Sequence, residues 1–202
     1  SGERSIGQVQ RSGENTLAAA EKWLEGRDRA KPVFLFFHIY EPHKPYTPPQ
    51  RFASYGPHDG EIPHADEIVA PPFARLRAME LYDRSTSRRL SDHGEGLGDH
   101  GEQEDGLFIY HETMRVPLIV KLPGRHAARR VPAPVQHIDI APTILDLVGA
   151  PREPSLKGRS LKPLLDGTGT IADAGIYAEA LYSRYHFGWS ELYSLTDTRY
   201  RF

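Results

Sequence analysis

Residues Ser91 to Glu102 read SDHGEGLGDHGE, six carboxylates or imidazoles set among four glycines in twelve positions. Asp92 and His93 place a hard oxygen beside an imidazole, and Gly94, Gly96, Gly98 and Gly101 let the backbone turn tightly around them. That mixture suits a metal or a phosphate-like group; the plainer alternative is an acidic, glycine-rich surface loop. Asp-His-Gly-Glu recurs at 99–102, but no other similarity at that period occurs in the chain, so the echo is local rather than a repeat. A second set of groups lies in HIYEPHKPYTPP, where four prolines from Pro42 to Pro49 stiffen the backbone around His43. On its own this stretch also reads as a proline-rich connector or a polyproline docking segment.

The surrounding elements must hold these groups in place. Leu17, Ala20 and Leu24 recur at helical spacing, which predicts a helix over 15–25 stopped at Gly26. Val33 to Phe37 is a continuous apolar run after Pro32, the pattern of a strand buried on both faces, and it delivers His38 and the loop beyond. Pro71-Pro72 interrupts the apolar spacing of 64–82, so a helix is expected to begin at one of those prolines and run to Leu81. Thr86 to Leu90 should be a strand feeding Asp92, although Arg88-Arg89 make it a poor buried one. Val116 to Leu122 is a better strand, closed by Pro123-Gly124. Asp139 to Gly149 reads as a helix capped by Asp139, with Pro142 in its first turn and Ile144, Leu145 and Val148 facing inward. Ile176 to Ala180 and Glu191 to Leu195 are further short strands, and the alternation points to α/β layers.

Composition narrows the class. The chain has 202 residues, 39% hydrophobic and 26% charged, enough for one sizeable core, and one domain or a large piece of one is expected. A formal net charge of −2 gives no polyelectrolyte signature, so nucleic acid is not the expected partner and a small molecule is. No apolar run approaches the roughly 20 residues of a membrane span. The chain begins with Ser rather than Met, so its start is expected to lie inside a longer protein. Without cysteine, disulfides, thiolate metal sites and a Cys nucleophile are excluded within these residues.

In chain order, FLFFHIYEPHKPYTPP, LYDRST..LSDHGEGLGDHGE, ETMRVPLIVKLPG, VQHIDIAPTILDLVGAP and LKGRSLKPLLDG resemble the sulfatase family of the alkaline phosphatase superfamily. Each segment alone is weak; five in this order, spanning nearly the whole chain, are not. The later stretch IYAEALYSRYHFGWSELYSLTDTRYRF is similar to bacterial sulfatase-like hydrolases. The resemblance implies an alkaline phosphatase-like α/β domain, a mixed sheet flanked by helices, incomplete at its N-terminus, with residues 1–202 forming one partial catalytic domain. It implies hydrolysis of small sulfate monoesters with a divalent cation, calcium or alternatively manganese, and a formylglycine nucleophile expected upstream of this chain. Asp92 and His93 fall on the family's Asp-(Asn/His)-Gly metal position. His43 falls on its Pro-His-x-Pro histidine, which faces the sulfate and assists the leaving group; His38 lines the substrate or supports the site. His100 and Glu102 either shape the loop behind the metal residues or are solvated, the second being favoured, and His58, His64, His111 and His126 are expected to be surface groups. His137 reads as structural, and His186 as packing or a contact to the substrate's organic part.

The sequence departs from the family's pattern in places. No Cys/Ser-x-Pro-x-Arg occurs, and Thr47-Pro48-Pro49-Gln50-Arg51 matches its Thr variant only by chance, since it follows His43. Asp105 stands where relatives carry a sulfate-contacting Lys or His, Arg88-Arg89 replace aliphatic residues, and Pro71-Pro72 cut a helix that relatives keep continuous. One alternative is a phosphoester or phosphonate hydrolase of the same superfamily, since Asp-His-Gly and Pro-His-x-Pro-Tyr also suit phosphoryl transfer; the departures favour the other, a catalytically inactive fragment. The resemblance leaves the compartment and the oligomeric state open.

Overall fold

The structure is a computed structural model that describes residues 11–102, 106–124, 128–172 and 175–202. The chain divides into two compact units, Ser1–Ser85 and Thr86–Phe202.

Among the described residues, the first unit holds two α-helices, a 3-10 helix over Gln50–Tyr55 and the loops between them. Helix α1 runs Gly13–Gly26, close to the expected span, and starts because the Ser12 hydroxyl accepts the Asn15 N–H. It buries Ala20 and Leu24. Helix α2 runs unbroken from Pro57 to Ala78 with Pro63, Pro71 and Pro72 inside it. The expected start at Pro71 or Pro72 is therefore wrong. Each internal proline removes a hydrogen bond and costs about 3 kcal/mol. A buried stripe of Gly60, Glu61, His64, Ile68 and Pro72, with α2 packed on α1, outweighs that local cost. The helix begins after Gly56, whose φ of 93° suits glycine.

Val33 to Phe37 is extended but is not a strand, and Phe34 and Phe36 are 71% and 78% exposed. Apolar character favours burial, but a strand needs a neighbour to pair its backbone, and among the described residues none pairs with this run.

The second unit holds two antiparallel strand pairs. β1 (Ser87–Leu90) pairs with β2 (Leu118–Lys121) in the register Ser87 to Lys121 and Leu90 to Leu118. β1 forms despite its arginines. Arg89 is exposed, whereas Arg88 is half-buried, its Nε has no hydrogen-bond partner among the described residues, and burial pushes its pKa down. Between the two strands lies α3 (His111–Met114). β3 (Ile176–Ala180) and β4 (Leu192–Thr196) pair where expected and bury Ala178 and Ala180. The short helices α4 (Ile140–Leu147), α5 (Lys162–Asp166) and α6 (Tyr182–Phe187) complete the unit.

Helix α4 is where it was expected, but two details differ. Asp139 does not cap it by a side-chain bond; its carboxylate instead accepts the Gln136 and Arg159 backbone N–H groups at 3.1 and 3.0 Å. Val148 is 69% exposed, and Pro142 and Thr143 are the buried positions. The Thr143 hydroxyl donates to the Asp139 carbonyl and accepts the Leu161 N–H at 2.9 Å, tying the 156–167 segment to α4. No helix among the described residues is long and apolar enough to cross a membrane.

Candidate functional site

His38 and His43 belong to the first unit. His38 is exposed, with its ring stacked on Phe36 at 6.4 Å between centroids. His43 is half-buried, and its Nδ1–H donates to the Lys44 carbonyl at 2.7 Å. A carbonyl can only accept, so this bond fixes the tautomer and leaves Nε2 as the nitrogen that gains or loses a proton. The Tyr40 hydroxyl donates to Nε2 at 3.3 Å and its ring packs on the imidazole at 4.3 Å.

The loop around His43 is anchored by a residue that sequence reasoning missed. Glu61 of α2 is only 4% exposed, and its two carboxylate oxygens accept the His43 N–H at 3.2 Å and the Thr47 N–H at 2.6 Å. Prolines at 42, 45, 48 and 49 cannot donate, so the N–H groups that remain are worth fastening. Gly60 lets the helix come close: a Cβ there would stand 2.8 Å from the Phe52 carbonyl oxygen and 2.9 Å from Pro48. The available signal was the spacing of Glu61 and His64 with Ile68 and Pro72, one helical stripe that a count of apolar residues alone overlooks. His64 is accordingly buried rather than a surface group.

Asp92 and His93 belong to the second unit, just after β1. Asp92 is exposed and its Oδ1 accepts the His93 N–H at 3.1 Å. His93 donates from Nδ1 to the Gly94 carbonyl at 2.9 Å, which places the lone pair of the neutral ring on Nε2. A carboxylate and an imidazole at adjacent positions are donor types that divalent cations accept.

Backbone contacts hold this turn. The Gly94 N–H donates to the Thr113 carbonyl at 2.8 Å, and a Cβ on Gly94 would lie 2.0 Å from the Glu112 carbonyl oxygen, so only glycine fits. Ser91 donates from its hydroxyl to the His93 carbonyl at 2.7 Å. The Ser91 carbonyl in turn accepts His137 Nε2–H at 2.8 Å, which gives His137 its structural part.

The second Asp-His-Gly-Glu copy supports the loop. Asp99–Gly101 forms a 3-10 turn, and the His100 ring stacks on Tyr110 at 4.3 Å while its Nδ1–H donates to Glu112 at 2.6 Å. Glu102 is buried rather than solvated: its Oε1 accepts the Leu107 and Phe108 N–H groups at 2.9 and 3.0 Å. Unpaired N–H groups beyond a glycine-rich turn are satisfied by a buried carboxylate more cheaply than by none. Asp105 and His126 lie outside the described residues.

The sequence model of the family described as Sulfatase matches residues 5–150, more than half of the chain and both histidine-bearing loops. An N-acetylglucosamine-6-O-sulfatase of Bacteroides thetaiotaomicron is 38% identical over 123 residues, 60% of this chain and 21% of that protein. The chain spans less than a quarter of the length of the curated relatives first matched. A phosphonate monoester hydrolase from Silicibacter pomeroyi superposes with a TM-score of 0.63 at 28% identity, over 71% of this chain and 31% of that one. A structure solved with its substrate D-glucosamine-2-N,6-O-disulfate superposes with a TM-score of 0.75 over 95% of this chain and 60% of that one; at 18% identity it speaks for the fold alone. With the ordered sequence segments and an alkaline phosphatase-like α/β architecture, these matches lead to one conclusion: the chain belongs to the sulfatase family of the alkaline phosphatase superfamily.

Proposed function

We propose that these residues are part of a sulfatase-type hydrolase that cleaves small sulfate monoesters with a divalent cation, calcium or alternatively manganese. The observation that carries this reading is the family match over residues 5–150, which takes in His43 and the Asp92-His93 pair together. Asp92 and His93 hold the cation. Bound there, it neutralises charge on the oxygens of the transferring group. Calcium takes 6–8 ligands, so these two are a part of its shell.

His43 serves the leaving group. With Nδ1–H committed to the Lys44 carbonyl, only Nε2 exchanges a proton, and a proton there is delivered to the departing ester oxygen. The Tyr40 ring and hydroxyl fix the plane in which Nε2 faces the substrate. Exposed His38 lines the substrate near the start of the same loop. The 202 residues contain no Cys/Ser-x-Pro-x-Arg.

A second reading, a phosphonate or phosphoester hydrolase, is favoured by the 28% identity to a phosphonate monoester hydrolase. Asp92-His93-Gly94 and Pro42-His43-Lys44-Pro45-Tyr46 suit phosphoryl transfer as well. An inactive protein is the third reading, supported by Asp105 and the double arginine. The test is hydrolysis of aryl sulfate, phosphate and phosphonate esters, with calcium or manganese, by the longest gene product that contains these residues. Preferred turnover of sulfate that falls about 100-fold or more in His43→Ala is expected. Preferred turnover of the phosphonate selects the second reading, and no turnover of any ester with either metal selects the third.

A further inference from the structure

Three side chains outside that reading converge in the first unit. Glu14 sits in the first turn of α1, Glu41 precedes Pro42 in the His43 loop, and His64 lies on the buried stripe of α2. One ligand atom from each lies within 4.8 Å of the other two. His64 is 8% exposed, and its Nε2 stands 3.1 Å from a Glu14 carboxylate oxygen. Glu41 Oε1 accepts the Gly13 N–H at 3.0 Å.

The remaining oxygen, Glu41 Oε2, is shut off from solvent and meets no donor among the described residues. Carboxylate oxygens are rarely left so, because burial strips away water without replacing it. The Gly13 backbone closes over this oxygen, and a Cβ there would lie 2.8 Å from it. A salt bridge between His64 and Glu14 engages His64 Nε2 and leaves the buried His64 Nδ1 without a hydrogen-bond partner among the described residues. It also leaves Glu41 Oε2 unexplained, and a cation within reach of that carboxylate would satisfy it.

Two carboxylates and one imidazole suit a borderline first-row cation better than calcium, which needs more oxygens. Ligand atoms about 2 Å from zinc sit about 3.3 Å apart in a tetrahedral site. Glu14, the most exposed of the three, can swing to close the set. We propose that Glu14, Glu41 and His64 bind one zinc-type divalent cation that ties α1, the His43 loop and α2 together. Because Glu41 is two residues from His43, the cation and Glu61 clamp that loop at neighbouring points.

The test is calorimetric titration of Zn2+ alone into the 202-residue chain carrying Asp92→Ala and His93→Ala, which removes the other candidate metal residues. Saturable binding of one equivalent and a raised melting temperature are expected. Glu14→Gln, on an exposed side chain, should weaken binding at least about tenfold, and Glu41→Gln, which keeps an acceptor for Gly13, should weaken it further. Circular dichroism checks that both variants fold. No saturable binding, or binding that neither variant changes, overturns the proposal. Since calcium at Asp92 is already removed in this background, either result leaves the sulfatase reading to be judged separately.

Discussion

The two loops that carry the functional groups are fixed by opposite means. The His43 loop is stiffened by prolines and then fastened by a side chain, with Glu61 gripping two backbone N–H groups from a neighbouring helix. The Asp92 loop is made pliable by glycines and then fastened by backbone, with Gly94 pressed against the 112–113 peptide and Ser91 held by His137. Proline lowers the entropy to be lost on ordering; glycine raises it but permits approaches that a Cβ forbids. The first loop should therefore fail when a carboxylate is removed, and the second when a methyl is added.

The largest expected effect is that of Gly94→Ala. Its Cβ would lie 2.0 Å from the Glu112 carbonyl oxygen, a backbone atom that cannot rotate away. A loss of about 3 kcal/mol is expected, read from the denaturant midpoint. Gly101→Ala makes the control: nothing lies within 4 Å of a Cβ there, and only its φ of 78° resists, so about 1 kcal/mol is expected. Equal losses at the two positions would break the contrast between space and dihedral.

Next comes Glu61→Ala, which strands two half-buried N–H groups and should cost about 2 kcal/mol. Amide exchange at His43 and Thr47 should quicken with it. If those amides exchange as before, the prolines alone hold the loop. His137→Ala should cost about 1 kcal/mol by losing the bond to the Ser91 carbonyl, and should loosen residues 91–94 without touching the 43–47 amides.

The smallest effect is one of pH. A hydrogen bond to its own backbone N–H, with His100 adding to it against some burial, holds the Glu112 carboxyl below its usual range. A depressed carboxyl pKa contributes stability that is present above the unfolded value and is lost as pH falls through the lower, folded one. His100→Ala should thus flatten a shallow acid-side slope in stability, and an unchanged slope would assign that slope to other carboxylates.

Much of this was readable from the chain. The helix at 13–26, the four strands, α4 and the ordered family segments all rest on local periodicity, glycine stops or contiguous residues. What escaped depended on partners far away in sequence. Whether Val33 to Phe37 is a strand depends on a neighbour to pair with, which an apolar run does not reveal. Pro71-Pro72 reads as a helix start locally, and only the packing of α2 overrules it. Glu61 and His64 are polar members of a helical stripe that a count of apolar residues passes over, and their burial is decided by groups 14 or more residues away; Glu102 is the local exception, buried by the Leu107 and Phe108 N–H groups of its own loop.

The assignment of the cation to Asp92 and His93 is the claim on which the proposed hydrolase most depends. A calcium titration of the chain followed by NMR at the Asp92 and His93 backbone amides and the His93 ring tests it most directly, since weak binding by a partial ligand set is still visible there. The account predicts saturable shifts confined to the 91–94 turn and absent in Asp92→Ala. Shifts that persist in that variant, or none at these residues up to millimolar calcium, would contradict it.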